Sequence, residues 1–329
     1  MFYISFHGGS GANSLNNIHI YNNDGSEAKH SKLLPQGDPK LSELRGFAFV
    51  NGLMVVNAFK NSSQLLQYSA SGTPPVYTFQ QIWASPKINS VDHPFDFAFD
   101  GNGNCYLSSQ DTGVVTILSA AATPGNVPSA LTQNGVPSSS YLQGTFVASV
   151  SNNLPNIPKN ASVGVAQPLG LGVSIEGGKM SNSVRGLAFW KGALLVADEV
   201  AGMVKAYSVT DGSLLAAVTG LQSPVHLLIN GSTLYISTGS GVMQVALPQQ
   251  ISFTTPLNAT SFITADMMNA AGAKSVAGMC FGPDPKSSTT QTMFVADRKG
   301  NAVYYVKGSS LEAFIQKLTD SPEFIVYQN

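Results

Sequence analysis

Two stretches of this chain align without a gap over 13 positions. They are Arg45-Gly-Phe-Ala-Phe-Val-Asn-Gly-Leu-Met-Val-Val-Asn57 and Arg185-Gly-Leu-Ala-Phe-Trp-Lys-Gly-Ala-Leu-Leu-Val-Ala197. The first runs on to Ser63-Gln-Leu-Leu-Gln-Tyr68 and Gly72, the second to Gly202-Met-Val-Lys-Ala-Tyr207 and Asp211-Gly212. Looser copies read Phe95-Asp-Phe-Ala-Phe-Asp-Gly101, Val225-His-Leu-Leu-Ile-Asn-Gly231 and Ala277-Gly-Met-Cys-Phe-Gly282. Each copy holds a short apolar strand, a glycine turn, a second strand, a polar loop and a third strand. Asn51-Gly52, Asp100-Gly101 and Asn230-Gly231 are strong two-residue hairpin signals. A repeat of this size cannot bury its apolar face alone, so neighbouring copies must stack.

Strand starts at 45, 95, 185, 225 and 277 give steps of 50, 90, 40 and 52 residues. A period of roughly 40 to 50 residues with four strands per unit indicates a β-propeller. The long step hides no further unit, because 120–140 and 151–184 are rich in Ala, Pro, Ser, Asn and Gly. Between them, Gln143–Val150 is expected to be the outer strand of the unit that starts at 95. Phe2–Phe6 and Asn17–Tyr21 match the second and third strands of a unit lacking its first, and Glu323–Tyr327 is a spare strand that would complete it. The expectation is an all-β, single-domain, six-bladed propeller with four-stranded antiparallel blades; seven blades is the alternative. The blades fall at 2–34 (closed by 323–327), 45–82, 95–150, 185–218, 225–264 and 277–322. Residues 151–184 would cap a channel mouth. Ser309-Ser-Leu-Glu312 reads as a capping box opening a helix to Lys317, and Ala265–Ala273 as a second helix.

Only 11% of residues are charged and the net charge is −1, so no basic excess exists for nucleic acid. No apolar run approaches the roughly 18 residues of a membrane span. The expected partner is a small molecule, the expected state a monomer. Low charge, many Asn, Ser and Thr residues, and sequons at Asn61, Asn160, Asn230 and Asn258 favour a secreted or periplasmic setting. Met1–Phe6 meets His7 and Gly8 at once, which does not read as a signal peptide. Cys105 and Cys280 exclude a disulfide scaffold and a Cys-rich zinc site. Both are expected to be buried, unbridged thiols.

The pattern apolar-Gly-apolar-Ala-Phe, glycine turn, Leu-Val-Ala-Asp, then Gly-x-Val-x-x-Tyr resembles NHL-type propeller repeats. It is most complete at 185–212 and 277–306. The wider group includes gluconolactonase-like hydrolases, streptogramin-type lyases and strictosidine-synthase-like proteins. The resemblance implies a propeller hosting either a binding site or a lyase or hydrolase site. In the hydrolases it implies a divalent cation, Ca or Mg, held by a Glu/Asn/Asp set. Glu43 is the one glutamate before a strand start here, and it lies too early for that set.

Repeat equivalence nominates the site. One position at the start of the first strand reads Gly46, Asp96, Gly186, His226 and Gly278; the position before it reads Arg45, Phe95, Arg185, Val225 and Ala277. Glycine suits crowded backbones, and Asp96 and His226 replace it with titratable groups. Arg45 and Arg185 suit a carboxylate or phosphate, or else tie neighbouring blades together. The ends of second strands add Asn57, Asp198, Asp297 and Arg298, with His7 beside the flexible Gly8–Gly11 loop. Asp198 and Asp297 follow Val-Ala, where a short acid ordinarily caps its own turn. Two functions follow. One is binding of a small anionic or polyhydroxylated ligand at the mouth where Arg45, Asp96, Arg185 and His226 would converge. The other is a propeller lyase or hydrolase, with His226 as general base and Asp96 orienting it or holding the cation. No P-loop, His-Glu-x-x-His or Gly-x-Ser-x-Gly motif is present.

Overall fold

The computed structural model describes residues 1–329 except 10, 36–39, 51, 59–62, 86–90, 92, 111–113, 119–146, 149–166, 169–182, 211, 213, 253–255 and 329. It divides into two compact units, residues 1–82, 237–242 and 261–329, and residues 83–236 and 243–260. Antiparallel sheets build both.

In the first unit, blade 1 has the strand order Pro322–Tyr327, Phe2–Phe6, Ile18–Tyr21, Glu27–Lys32. The C-terminal strand therefore takes the place of a first strand, as expected, with Phe2 opposite Tyr327 and Ile4 opposite Ile325. Alternation explains the fit: Phe2, Ile4 and Phe6 are fully buried on one face and pack with Phe294, Tyr305 and Ile325. The Phe2 ring lies 4.3 Å from Phe294 and 4.9 Å from Phe314, tilted and edge-on, geometries that add to the burial of large rings. Blade 2 comprises Leu44–Ala48, Leu53–Asn57, Gln64–Ser71 and Val76–Ala84; blade 6 comprises Met279–Asp284, Ser287–Asp297, Ala302–Lys307 and Ser310–Ile315.

The last of these corrects the sequence reading, which placed a helix at Ser309–Lys317. Glu312 does not cap a helix. It accepts hydrogen bonds from Tyr305 (2.6 Å), Lys307 (2.7 Å) and Lys286 (2.7 Å) while Ser310–Ile315 pairs with Ala302–Lys307. Partners on the neighbouring strands override the capping signal. The other expected helix is present as Ala265–Ala271, capped by the Thr264 side chain and ended by Gly272 at φ 76°.

In the second unit, blade 4 comprises Val184–Trp190, Ala193–Asp198, Met203–Ser208 and Leu214–Val218. Most of blade 5 lies here too: Leu227–Asn230, Thr233–Thr238, Gly241–Ala246 and Ala259–Ile263. Blade 3 shows Pro94–Phe99, Cys105–Ser109 and Val114–Leu118, three strands among the described residues. Val147–Ala148, expected to form its outer strand, pairs instead with Gln167–Pro168. That partner is nearer in sequence than Val114–Leu118, so a shorter loop has to close. The rest of the expected cap at 151–184 lies outside the described residues, apart from Ser183 and Val184, which lead into blade 4. The chain is a six-bladed β-propeller.

Two devices join consecutive first strands. In one, Gly186 N–H donates to Val225 O and Gly278 N–H to Glu323 O, both at 2.7 Å. A Cβ on Gly186 would stand 2.6 Å from Val225 O, and one on Gly278 2.6 Å from Phe324 Cα. Glycine is required at both places because backbone meets backbone. In the other, a second-strand serine bridges two first strands. Ser108 Oγ accepts from Asp96 N–H (3.0 Å) and donates to Arg185 O (2.6 Å); Ser5 Oγ accepts from Phe324 N–H (3.2 Å) and donates to Arg45 O (2.9 Å).

Candidate functional site

These contacts fix the register between blades. Glu323 answers to Val225 through the glycine contacts and to Phe95 through the serine contacts. The position before the glycine therefore reads Glu323, Arg45, Phe95, Arg185, Val225 and Ala277 from blade 1 to blade 6. Glu323 is the member that sequence comparison missed. Its blade-mates lie some 300 residues away, and only the pairing of Phe2–Phe6 with Pro322–Tyr327 places it.

In the first unit Glu323 is the centre of a charge cluster. Its Oε2 lies 3.2 Å from Arg298 Nε, 3.5 Å from His7 Nδ1 and 3.9 Å from Arg45 Nη1. Arg298 Nη2 also lies 3.0 Å from His7 Nδ1, and Arg45 Nη2 3.6 Å from Glu43 Oε2. Glu323 and Arg45 are buried, whereas the side chains of Arg298 and His7 are 40% and 32% exposed. Burial alone would raise the Glu323 pKa; Arg45, His7 and Arg298 together hold it down at about 2. Arg298, His7 and Arg45 all face the same oxygen of Glu323, Oε2.

Arg185, in the second unit, is engaged differently. Its Nε donates to Glu199 Oε2 at 2.7 Å, its Nη1 to Gln110 Oε1, and its guanidinium stands 5.0 Å over the Phe95 ring. The two oxygens of Asp96 accept from the backbone N–H groups of Phe97 (2.8 Å) and Leu187 (3.2 Å). Burial still pushes its carboxyl up to about 7. His226 keeps some accessible surface but sits deep among protein atoms, which push its imidazole down to about 4. Of the four residues expected to share one mouth, Arg45 belongs to the first unit and Asp96, Arg185 and His226 to the second.

Asn57, Asp198 and Asp297 perform one duty. Each accepts the backbone N–H of a residue leading into its own first strand, Ser42 (3.0 Å), Ser183 (3.3 Å) and Ser275 (3.0 Å). Asp198 and Asp297 also cap their own turns through Ala201 and Gly300, and Asp198 holds the buried Lys205 ammonium at 2.8 Å. Among the described residues, no three His, Cys, Asp or Glu side chains are grouped to hold a metal ion. Cys105 and Cys280 are buried free thiols, their pKa raised chiefly by burial.

Neither a protein-family model nor a curated protein matches the sequence. Solved structures do match the fold. A 6-phosphogluconolactonase-like protein from Bacteroides fragilis superposes with a TM-score of 0.58 at 12% identity, covering 100% of this chain and 97% of that one. A protein from Lactobacillus plantarum gives 0.53 at 10% identity over 100% and 99%. A chain of a nidogen/laminin complex gives 0.53 at 11% over 99% and 97%. At such identities the likeness is one of fold, and it agrees with the NHL-like repeat grammar at that level.

Proposed function

We propose that this propeller binds a small, anionic or polyhydroxylated ligand at the cluster of Arg298, His7, Glu323 and Arg45. The carrying observation is that two guanidiniums and an imidazole converge on one buried carboxylate, and that Arg298 and His7 reach solvent from it. Arginine offers a planar fork of donors suited to carboxylate or phosphate. Arg185, by contrast, is already held by Glu199, Gln110 and Phe95. The name of the Bacteroides fragilis protein points the same way, since a phosphogluconolactone is both anionic and polyhydroxylated.

The hydrolytic alternative has less behind it. A general base works best with a pKa near the operating pH, and His226 is pushed down to about 4. Asp96 spends both oxygens on backbone.

Thermal-shift and calorimetric titration with gluconate, 6-phosphogluconate and glucuronate tests the proposal. At least one acid should stabilise the protein at millimolar concentration, and Arg298→Ala should weaken its binding tenfold or more. Failure of all three acids to bind, or unchanged binding by the variant, refutes it.

A further inference from the structure

We infer that the second unit holds a separate binding site, between blades 4 and 5, for a small, uncharged and largely apolar molecule. A cavity of about 610 Å³ opens where the outer strand of blade 4, Leu214–Val218, runs into the connection to blade 5. Its other wall is Met243, from the third strand of blade 5, together with residues 256–259, which open the fourth. That volume lies in the range of pockets that enclose a small organic ligand. Every residue lining it belongs to this one unit.

Small residues leave the space. Ala217, Gly220 and Ala259 stand in the walls, and a Cβ added to Gly220 would meet nothing within 4 Å. The floor is apolar: Val218, Leu221 and Leu257 are buried members of the core cluster shared by blades 4 and 5. Leu221 is fixed there by the bond from its N–H to Gly202 O at 3.0 Å, and a Cβ on Gly202 would stand 2.5 Å from Leu221 O. Met243 packs against the same cluster but stays partly exposed, and its unbranched thioether can adapt to the shape of a guest.

Charge decides the class of ligand. Among the described residues, none of those lining the cavity is charged, and Thr219 and Asn258 supply its polar side chains. An ionised ligand would lose water here and gain no counter-charge. A neutral one with an apolar body covers the floor and meets no such penalty. The cluster around Glu323 favours anions, so the two sites select different chemistry and stand or fall independently.

The test follows methionine methyl groups by NMR, the Met243 signal being identified by its loss in Met243→Leu. 1-Hexanol should shift that signal saturably. It should bind there at least tenfold more tightly than hexanoate, which has the same chain ending in a carboxylate. Ala217→Phe, which fills the cavity, should weaken hexanol binding at least tenfold. A Met243 signal unmoved by hexanol overturns the inference, whether or not other methionines respond. Equal affinity of hexanol and hexanoate at that signal overturns the neutral class of ligand. Hexanol binding unchanged in Ala217→Phe overturns the cavity as its place. Should Ala217→Phe fail to fold, Ala259→Phe fills the cavity from the opposite wall, and the two probes on the unmodified protein still decide.

Discussion

Glu323 and Arg45 occupy the same register position in adjacent blades, and the carboxylate of one faces the guanidinium of the other at 3.9 Å. One position of the repeat thus carries opposite charges in blades 1 and 2, and the pair is buried at the seam where the C-terminal strand joins the N-terminal one.

Glu323→Ala takes a buried counter-charge away from Arg45, which keeps Glu43 at 3.6 Å, and should cost on the order of 1–3 kcal/mol in chemical denaturation, below the roughly 3–5 kcal/mol of a buried pair left wholly without a counter-charge. The pH dependence has a definite sign. Glu323 falls from its ordinary 4.5 to about 2 in the folded chain, so its contribution is complete above pH 4.5 and is lost as pH falls from there through 2. The Glu323→Gln variant should show a shallower acid limb than the unmodified protein, the remainder coming from other lowered carboxylates such as Glu312.

Asp96 and His226 oppose one another. The imidazole drops from 6.5 to about 4 on folding and the carboxyl climbs from 3.8 to about 7, both because of burial. Between pH 4 and 6.5 the first makes the fold weaker as acid is added; the second makes it stronger. His226→Gln should therefore become more stable on moving from pH 7 to 4.5, and Asp96→Asn less stable, in denaturation midpoints. Parallel profiles would show that neither group titrates as its surroundings dictate.

Gly186→Ala should lose several kcal/mol, since its Cβ would stand 2.6 Å from Val225 O, inside the contact limit of two backbones that have no room to part. Gly101→Ala is the control. Nothing lies within 4 Å of its added Cβ, and its melting temperature should stay close to that of the parent.

Ser108→Ala tests the second junction device. The change orphans the Asp96 N–H and the Arg185 carbonyl at once, and about 1–3 kcal/mol should be lost for buried groups left unpaired. Ser108→Thr, which keeps the hydroxyl, should recover part of it.

The parts of the fold legible in the sequence were those set by local rules repeated several times. Arg45–Asn57 and Arg185–Ala197 align because both strand pairs need the same apolar face and the same glycine. Asp198 and Asp297 could be read as turn acids because their backbone partners, Ala201 and Gly300, lie three residues on. Pairing between strands hid the rest. Glu323 gained its place from a strand partner at the other end of the chain, and Glu312 left its capping pattern for Tyr305, Lys307 and Lys286. The partners of Arg185, Glu199 and Gln110, lie 14 and 75 residues away and so do not show in the repeat pattern.

Blade 1 also sets a timetable for the ribosome. The strand that pairs with Phe2–Phe6, Pro322–Tyr327, is translated about 320 residues after it. At roughly 5–20 residues per second, that interval lasts on the order of 15–60 s. Throughout it the nascent chain carries Phe2, Ile4 and Phe6 on a strand with one open edge, the kind of surface that invites pairing with another chain. That edge is covered only when Pro322–Tyr327 arrives.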